Sequence, residues 1–98
     1  MSLAFCTDKI RHKLGENSGL NASLKFDCQE DGVVFVDATI TPHVVSNQDQ
    51  DAQCTVKLNL ENLQAILTGN LNPVTGFMTG KFKVEGDMSV ILRLQNLL

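Results

Sequence analysis

Residues 71–98 read LNPVTGFMTGKFKVEGDMSVILRLQNLL. The last eleven, MSVILRLQNLL, carry seven apolar residues. Projected at about 100° per residue, Ser89, Arg93 and Asn96 crowd into a polar arc of about 60°. The apolar arc spreads over about 220°, and Gln95 falls inside it, between Ile91 and Met88. A helix resting on one sheet face needs an apolar stripe of only about 100°. The surplus face, made of Ile91, Gln95, Met88 and Leu92, must meet something else. Three coverings are open: the domain's own core, another chain, or a ligand in an apolar cavity. Gln95 fits the first badly, because a buried amide without partners costs about 1–3 kcal/mol. Met78 and Met88 suit a cavity wall, since a flexible thioether adapts to varied shapes.

Working upstream, Asp87 can cap this helix, and Lys81 to Glu85 alternates as a strand with Phe82 and Val84 on one face. Asn72-Pro73 opens a short helix, with Pro at the favoured first position, and Gly80 closes it. Asn59 caps a helix over 60–68, whose Leu60, Leu63, Ile66 and Leu67 form one amphipathic stripe. Gln53 to Leu58 alternates as a strand, after a polar loop over 46–52. Pro42 makes His43-Val44-Val45 an edge strand or the sequel to a bulge. Val33 to Val36 is apolar on both faces, as a central strand covered on both sides would be. The same register carries Val34, Val36, Ala38 and Ile40 along one face. Ala22 to Cys28 alternates, and Gln29 to Gly32 is a turn. Residues 3–14 form a helix between Ser2 and Gly15, with Leu3, Cys6, Ile10 and Leu14 on one stripe. Phe5 points the other way, near Asp8, Lys9 and His12: either a tolerated surface residue, or a membrane or partner contact aided by Lys9, Arg11 and Lys13. The order is αββββααβα in one α+β domain, residues 1–98, with no repeat, linker or low-complexity tract.

Composition narrows the function. A net charge of −3 and no Trp or Tyr argue against nucleic acid. Cys6, Cys28 and Cys54 are odd in number and widely spaced, which reads as reduced thiols in a cytoplasmic protein. No pair among them, His12 and His43 has zinc-finger spacing, so no metal is expected. GxSxG and HExxH are absent, and Cys28 and Cys54 read as inward-facing, inert thiols, so no catalysis is expected. Residues 1–13 do not read as a secretory signal, and the terminal Asn-Leu-Leu is no peroxisomal address.

The run Asn72-Pro73, Phe77-Met78, Gly80-Lys81, Lys83, Gly86-Asp87-Met88 and Leu94 to Leu97 resembles the closing signature of the sterol carrier protein type 2 domain. Residues 51–56, DAQCTV, are similar to another strand of that family. The resemblance implies a twisted five-stranded, mostly antiparallel sheet, with helices shielding an apolar tunnel. It implies non-catalytic binding, and transfer or presentation, of a fatty acid, acyl-CoA, isoprenoid lipid or sterol, and possible partnership with a lipid enzyme. The tunnel walls it implies are Leu63, Ile66 and Leu67, then Phe77 and Met78, then Phe82, then Met88, Ile91 and Leu92, with Gln95 toward a ligand's polar group. Gly76 stands where the family often has Ala, and Ser89-Val90-Ile91 replaces a smaller run, which implies a narrower cavity. The chain resembles a compact free-standing, bacterial-like member of the family, for which the resemblance implies fatty acids, acyl-CoA or isoprenoid lipids rather than sterol as guests.

Overall fold

The computed structural model describes residues 2–95. The chain runs α1 (Leu3–Leu14), β1 (Ser23–Asp27), a 3-10 turn (Gln29–Asp31), β2 (Val33–Asp37), β3 (Val44–Ser46), β4 (Cys54–Lys57), α2 (Leu60–Leu67), α3 (Pro73–Met78), β5 (Lys83–Gly86) and α4 (Met88–Gln95). This is the expected α+β order. The helix starts follow from their caps. Ser2 accepts from the Phe5 amide, Asn59 from that of Asn62, and Asn72 from those of Val74 and Thr75.

The five strands form one mixed sheet in the order β3-β2-β1-β4-β5. Three of its neighbouring pairs are antiparallel, and β1 with β4 is parallel. β1 lies at the middle of the order, and β2 is an interior strand beside it. As expected for Val33–Val36, β2 is covered on both faces: Val34 and Val36 enter the core, and Phe35 is buried on the opposite side. β3 and β4 run parallel with two strands between them, so residues 47–53 must cross the sheet. They cross its outer face. Lys25 there reaches Asp49 at 2.8 Å, and Ser23 and Gln53 exchange two hydrogen bonds of 2.8 Å. The Val34-to-Ile40 face ends early, because β2 stops at Asp37, whose carboxylate accepts from Thr39; Ile40 is exposed.

On the inner face one cluster unites Cys6, Ile10 and Leu14 of α1, Leu24 and Phe26 of β1, Val56 of β4, the α2 stripe, and Val90, Ile91 and Leu94 of α4. Arg93 ties α4 down by donating to the Leu20 carbonyl at 2.8 Å. Gly86 (φ 93°) is the joint that aims α4. A Cβ there would collide with the Gln53 carbonyl, and that same carbonyl accepts the Asp87 amide at 2.8 Å. Asp87 then accepts from the Ser89 amide at 2.9 Å and hydroxyl at 2.7 Å.

Two predictions follow from these joints. The Ser89 hydroxyl and amide hold the Asp87 carboxyl below its ordinary value. A depressed carboxyl stabilises the fold above its unfolded pKa of about 3.9, and that contribution is lost as pH falls through the lower folded value. Asp87→Asn keeps the cap but cannot titrate, so melting temperature measured from pH 5 to pH 2 should fall less steeply in the variant than in the wild type. In α3, a Cβ on Gly76 would lie 2.5 Å from Phe82 Cε2. Overpacking of this kind costs about 1–3 kcal/mol, against about 1 kcal/mol gained in helix propensity. Gly76→Ala should therefore lower the melting temperature by several degrees, and Phe82→Leu in the same chain should recover part of the loss.

Candidate functional site

The C-terminal third builds an apolar groove. α3 is only six residues long, held at its start by Asn72 and Pro73, and its buried side is Pro73 and Gly76. The small Gly76 lets α3 settle onto the Phe82 ring. Phe77 leans against the same ring, with centroids 6.5 Å apart and planes tilted by 40°. α3 thus turns Val74, Phe77 and Met78 toward α4, which answers with Met88, Ile91 and Leu92. These six side chains enclose a groove of about 230 Å³ that opens to solvent. None of them is polar.

α4 divides its apolar circumference between two tasks. Val90, Ile91 and Leu94 are buried, while Met88 and Leu92 are exposed, Leu92 by 60%. Met78 across the groove is 77% exposed. Exposed apolar side chains gathered on facing helices mark a binding surface more often than scattered ones do. The surplus read from the sequence is therefore present. Among the described residues it is the wall of an open groove rather than of an enclosed tunnel.

Five of the ten expected lining residues meet at this groove: Phe77, Met78, Met88, Ile91 and Leu92. Leu63, Ile66, Leu67 and Phe82 do not reach it. Each is in the main core, because the α2 stripe turns onto the sheet and Phe82 is wedged under α3. Gln95 is exposed and does not line the groove, which removes the strain of a buried amide. Val74 was missed. In sequence it is one apolar residue in a six-residue helix, and only its place one turn before Phe77 and Met78 could have marked it. Leu97 and Leu98, part of the apolar arc, lie outside the described residues.

Nucleophilic chemistry has little to draw on at the thiols. Cys6, Cys28 and Cys54 are unpaired and buried. Burial, reinforced by the nearby Cys6, Asp31 and Asp27, pushes the Cys28 thiol up to about 12. Burial and then Asp87 push Cys54 up to about 11, and burial also raises Cys6. A protonated, enclosed thiol is a poor nucleophile. His43 is engaged on both ring nitrogens. The Ser18 amide donates to Nε2 at 2.8 Å, so Nδ1 carries the proton and donates to the Ile40 carbonyl at 2.8 Å. His12 is exposed on α1 and, with Phe5, Asp8 and Lys9, borders a separate shallow hollow.

The family model described as the SCP-2 sterol transfer family matches residues 6–98. Bovine sterol carrier protein 2 is 43% identical over 54 residues, which are 55% of this chain and 10% of that protein. The chain thus aligns with about a tenth of that relative's length. The structure of sterol carrier protein 2-like 2 from Aedes aegypti shares the fold with a TM-score of 0.75 at 18% identity, covering 100% of this chain and 97% of that one. A sec-alkylsulfatase from Pseudomonas contains the same fold, with a TM-score of 0.56 at 24% identity over 94% of this chain and 14% of the sulfatase. The match over residues 6–98 takes in all five strands and the helices that form the groove, and the chain belongs to the SCP-2 sterol transfer family.

Proposed function

We propose that the protein binds a lipid without covalent chemistry, lays its apolar chain between α3 and α4, and carries or presents it. Membership of the family supports lipid binding and transfer in general. The observation that carries the reading to this site is the wholly apolar lining of the groove by Val74, Phe77, Met78, Met88, Ile91 and Leu92. Van der Waals contact with a hydrocarbon is what such a lining offers, and removing that hydrocarbon from water drives binding. The two methionines let the wall follow chains of differing shape.

Size favours a chain over a ring system. Pockets for whole small molecules hold about 300–1,000 Å³, and the groove holds about 230 Å³. A fatty acid, the acyl part of acyl-CoA, or an isoprenoid tail enters lengthwise with its polar end outside. A sterol would first have to part α3 from α4. Three unpaired, buried thiols support a reducing setting such as the cytoplasm. Phe5, beside Lys9, gives α1 a contact for a membrane from which lipid is taken.

A second reading is favoured by one observation: the same fold occurs inside a larger sec-alkylsulfatase. On that reading the exposed Met78 and Leu92 touch a partner enzyme and hand it the lipid.

Two outcomes are expected. A ligand that binds only the folded state, present at 100 times its Kd, stabilises by about 2.7 kcal/mol. For a domain of this size that is a rise in melting temperature of roughly 10–20 °C. Thermal titration with fatty acids, acyl-CoA, isoprenoid lipids and sterols should show such a rise for at least one chain-like lipid. No shift with any of them contradicts the groove reading. Leu92→Asp places a charge on an exposed groove wall, so it should leave the unliganded melting temperature nearly unchanged while raising the lipid Kd about 10-fold or more. Ile91→Asp, by contrast, buries an unpaired charge and should unfold the protein.

A further inference from the structure

Beside the groove is a second hollow of opposite character. It holds about 420 Å³ where the end of β4, the chain after α3 and the start of β5 converge. Lys57, Lys81 and Lys83 line it, together with Asn59 and Gln29, and none of its lining residues is acidic. The chain has 11 acidic and 8 basic residues, so three cations around one acid-free hollow run against its overall charge. The sheet sustains this at a cost. Lys57 and Lys83 are directly opposed in the β4–β5 register, and like charges so placed repel. Glu85 answers Lys57 alone, at 3.1 Å from its Nζ. Among the described residues Lys81 and Lys83 form no ion pair. Asn59 has its Oδ1 engaged in capping α2, which leaves its amide N–H groups to donate. The lysines and Asn59 thus offer donors.

The hollow and the groove are neighbours along the chain. Met78 lines one and Gly80, two residues on, lines the other. The Phe77 ring of the groove leans on the Phe82 ring of the hollow. We propose that the hollow formed by Lys57, Lys81, Lys83 and Asn59 is an anion subsite for a phosphate group, carried by an amphipathic lipid whose chain lies in the groove. The lipid source rests on the function proposed above; the anion chemistry does not. Lysine donates as a compact, mobile point charge, which suits a phosphate of variable position better than a fixed bidentate fork would. A bound phosphate would offset the repulsion between Lys57 and Lys83.

The test compares two lipids with the same acyl chain, lauroyl lysophosphatidate and monolauroylglycerol, each below its micellar concentration. They are titrated into the intact protein and into Lys81→Gln/Lys83→Gln. Both substitutions are at exposed positions, and the second relieves the repulsion with Lys57, so the variant should melt at or above the wild-type temperature. The wild type should bind the phosphate lipid at least 10-fold more tightly than the neutral one. The variant should lose that preference and keep its affinity for monolauroylglycerol. If the neutral lipid binds and the phosphate adds nothing, or if the preference survives in the variant, the subsite is overturned while the groove stands. Sodium pyrophosphate, followed by amide NMR, separates the sources. If neither lipid binds, but pyrophosphate shifts the Gly80 to Lys83 amides in the wild type and not in the variant, the hollow takes a free phosphate and the groove reading fails. If neither the lipids nor pyrophosphate acts, both fall.

Discussion

α4 carries more apolar circumference than one sheet face can cover, and the architecture of the C-terminal third follows from where that surplus goes. Gly86 and Asp87 fix the entry angle of the helix against the Gln53 carbonyl, and Arg93 fastens its polar face to Leu20. With α4 so placed, Val90, Ile91 and Leu94 complete the core. Met88 and Leu92 are left facing outward, and the short α3 comes alongside to make them one wall of a groove. A helix rotated by about 100° would bring Leu92 to the place of Ile91 and turn Val90 and Leu94 outward, removing one groove wall and opening the core. The groove wall and the core are therefore two uses of one helix.

The cost of hollowness is lower here than an enclosed tunnel would impose. An empty cavity penalises a fold by about 24 cal/mol per Å³. At about 230 Å³ a sealed void would cost about 5.5 kcal/mol, comparable with the whole stability of a small domain. An open groove exchanges that penalty for exposed apolar surface, which water wets at smaller cost and which a ligand can then remove. The small Gly76 contributes to the same economy, because it allows α3 to pack on Phe82 without enlarging the core.

Much of the fold was legible because it is local. Ser2, Asn59 and Asn72 announced three helix starts, and the alternation from Ala22 to Cys28 gave β1 and its inner face. What escaped was non-local. That β1 lies at the middle of the sheet and that residues 47–53 cross the outer face depend on strand pairing, which no single segment encodes. The site divides in the same way. The α4 surplus was visible in its periodicity, so Met88, Ile91 and Leu92 were found. The α2 stripe had the same appearance, and only the sheet it rests on reveals that Leu63, Ile66 and Leu67 are core. The opposition of Lys57 and Lys83 appears only in the register.

A lipid chain held in the groove between α3 and α4 would stay with the protein through a gentle purification. Native mass spectrometry of protein purified without detergent, followed by solvent extraction, tests it most directly. An occupied groove gives a reproducible mass excess that solvent removes, recovered as a chain-like lipid, and absent from Leu92→Asp purified in the same way. A bare protein mass, unchanged after incubation with mixed lipids, would contradict it.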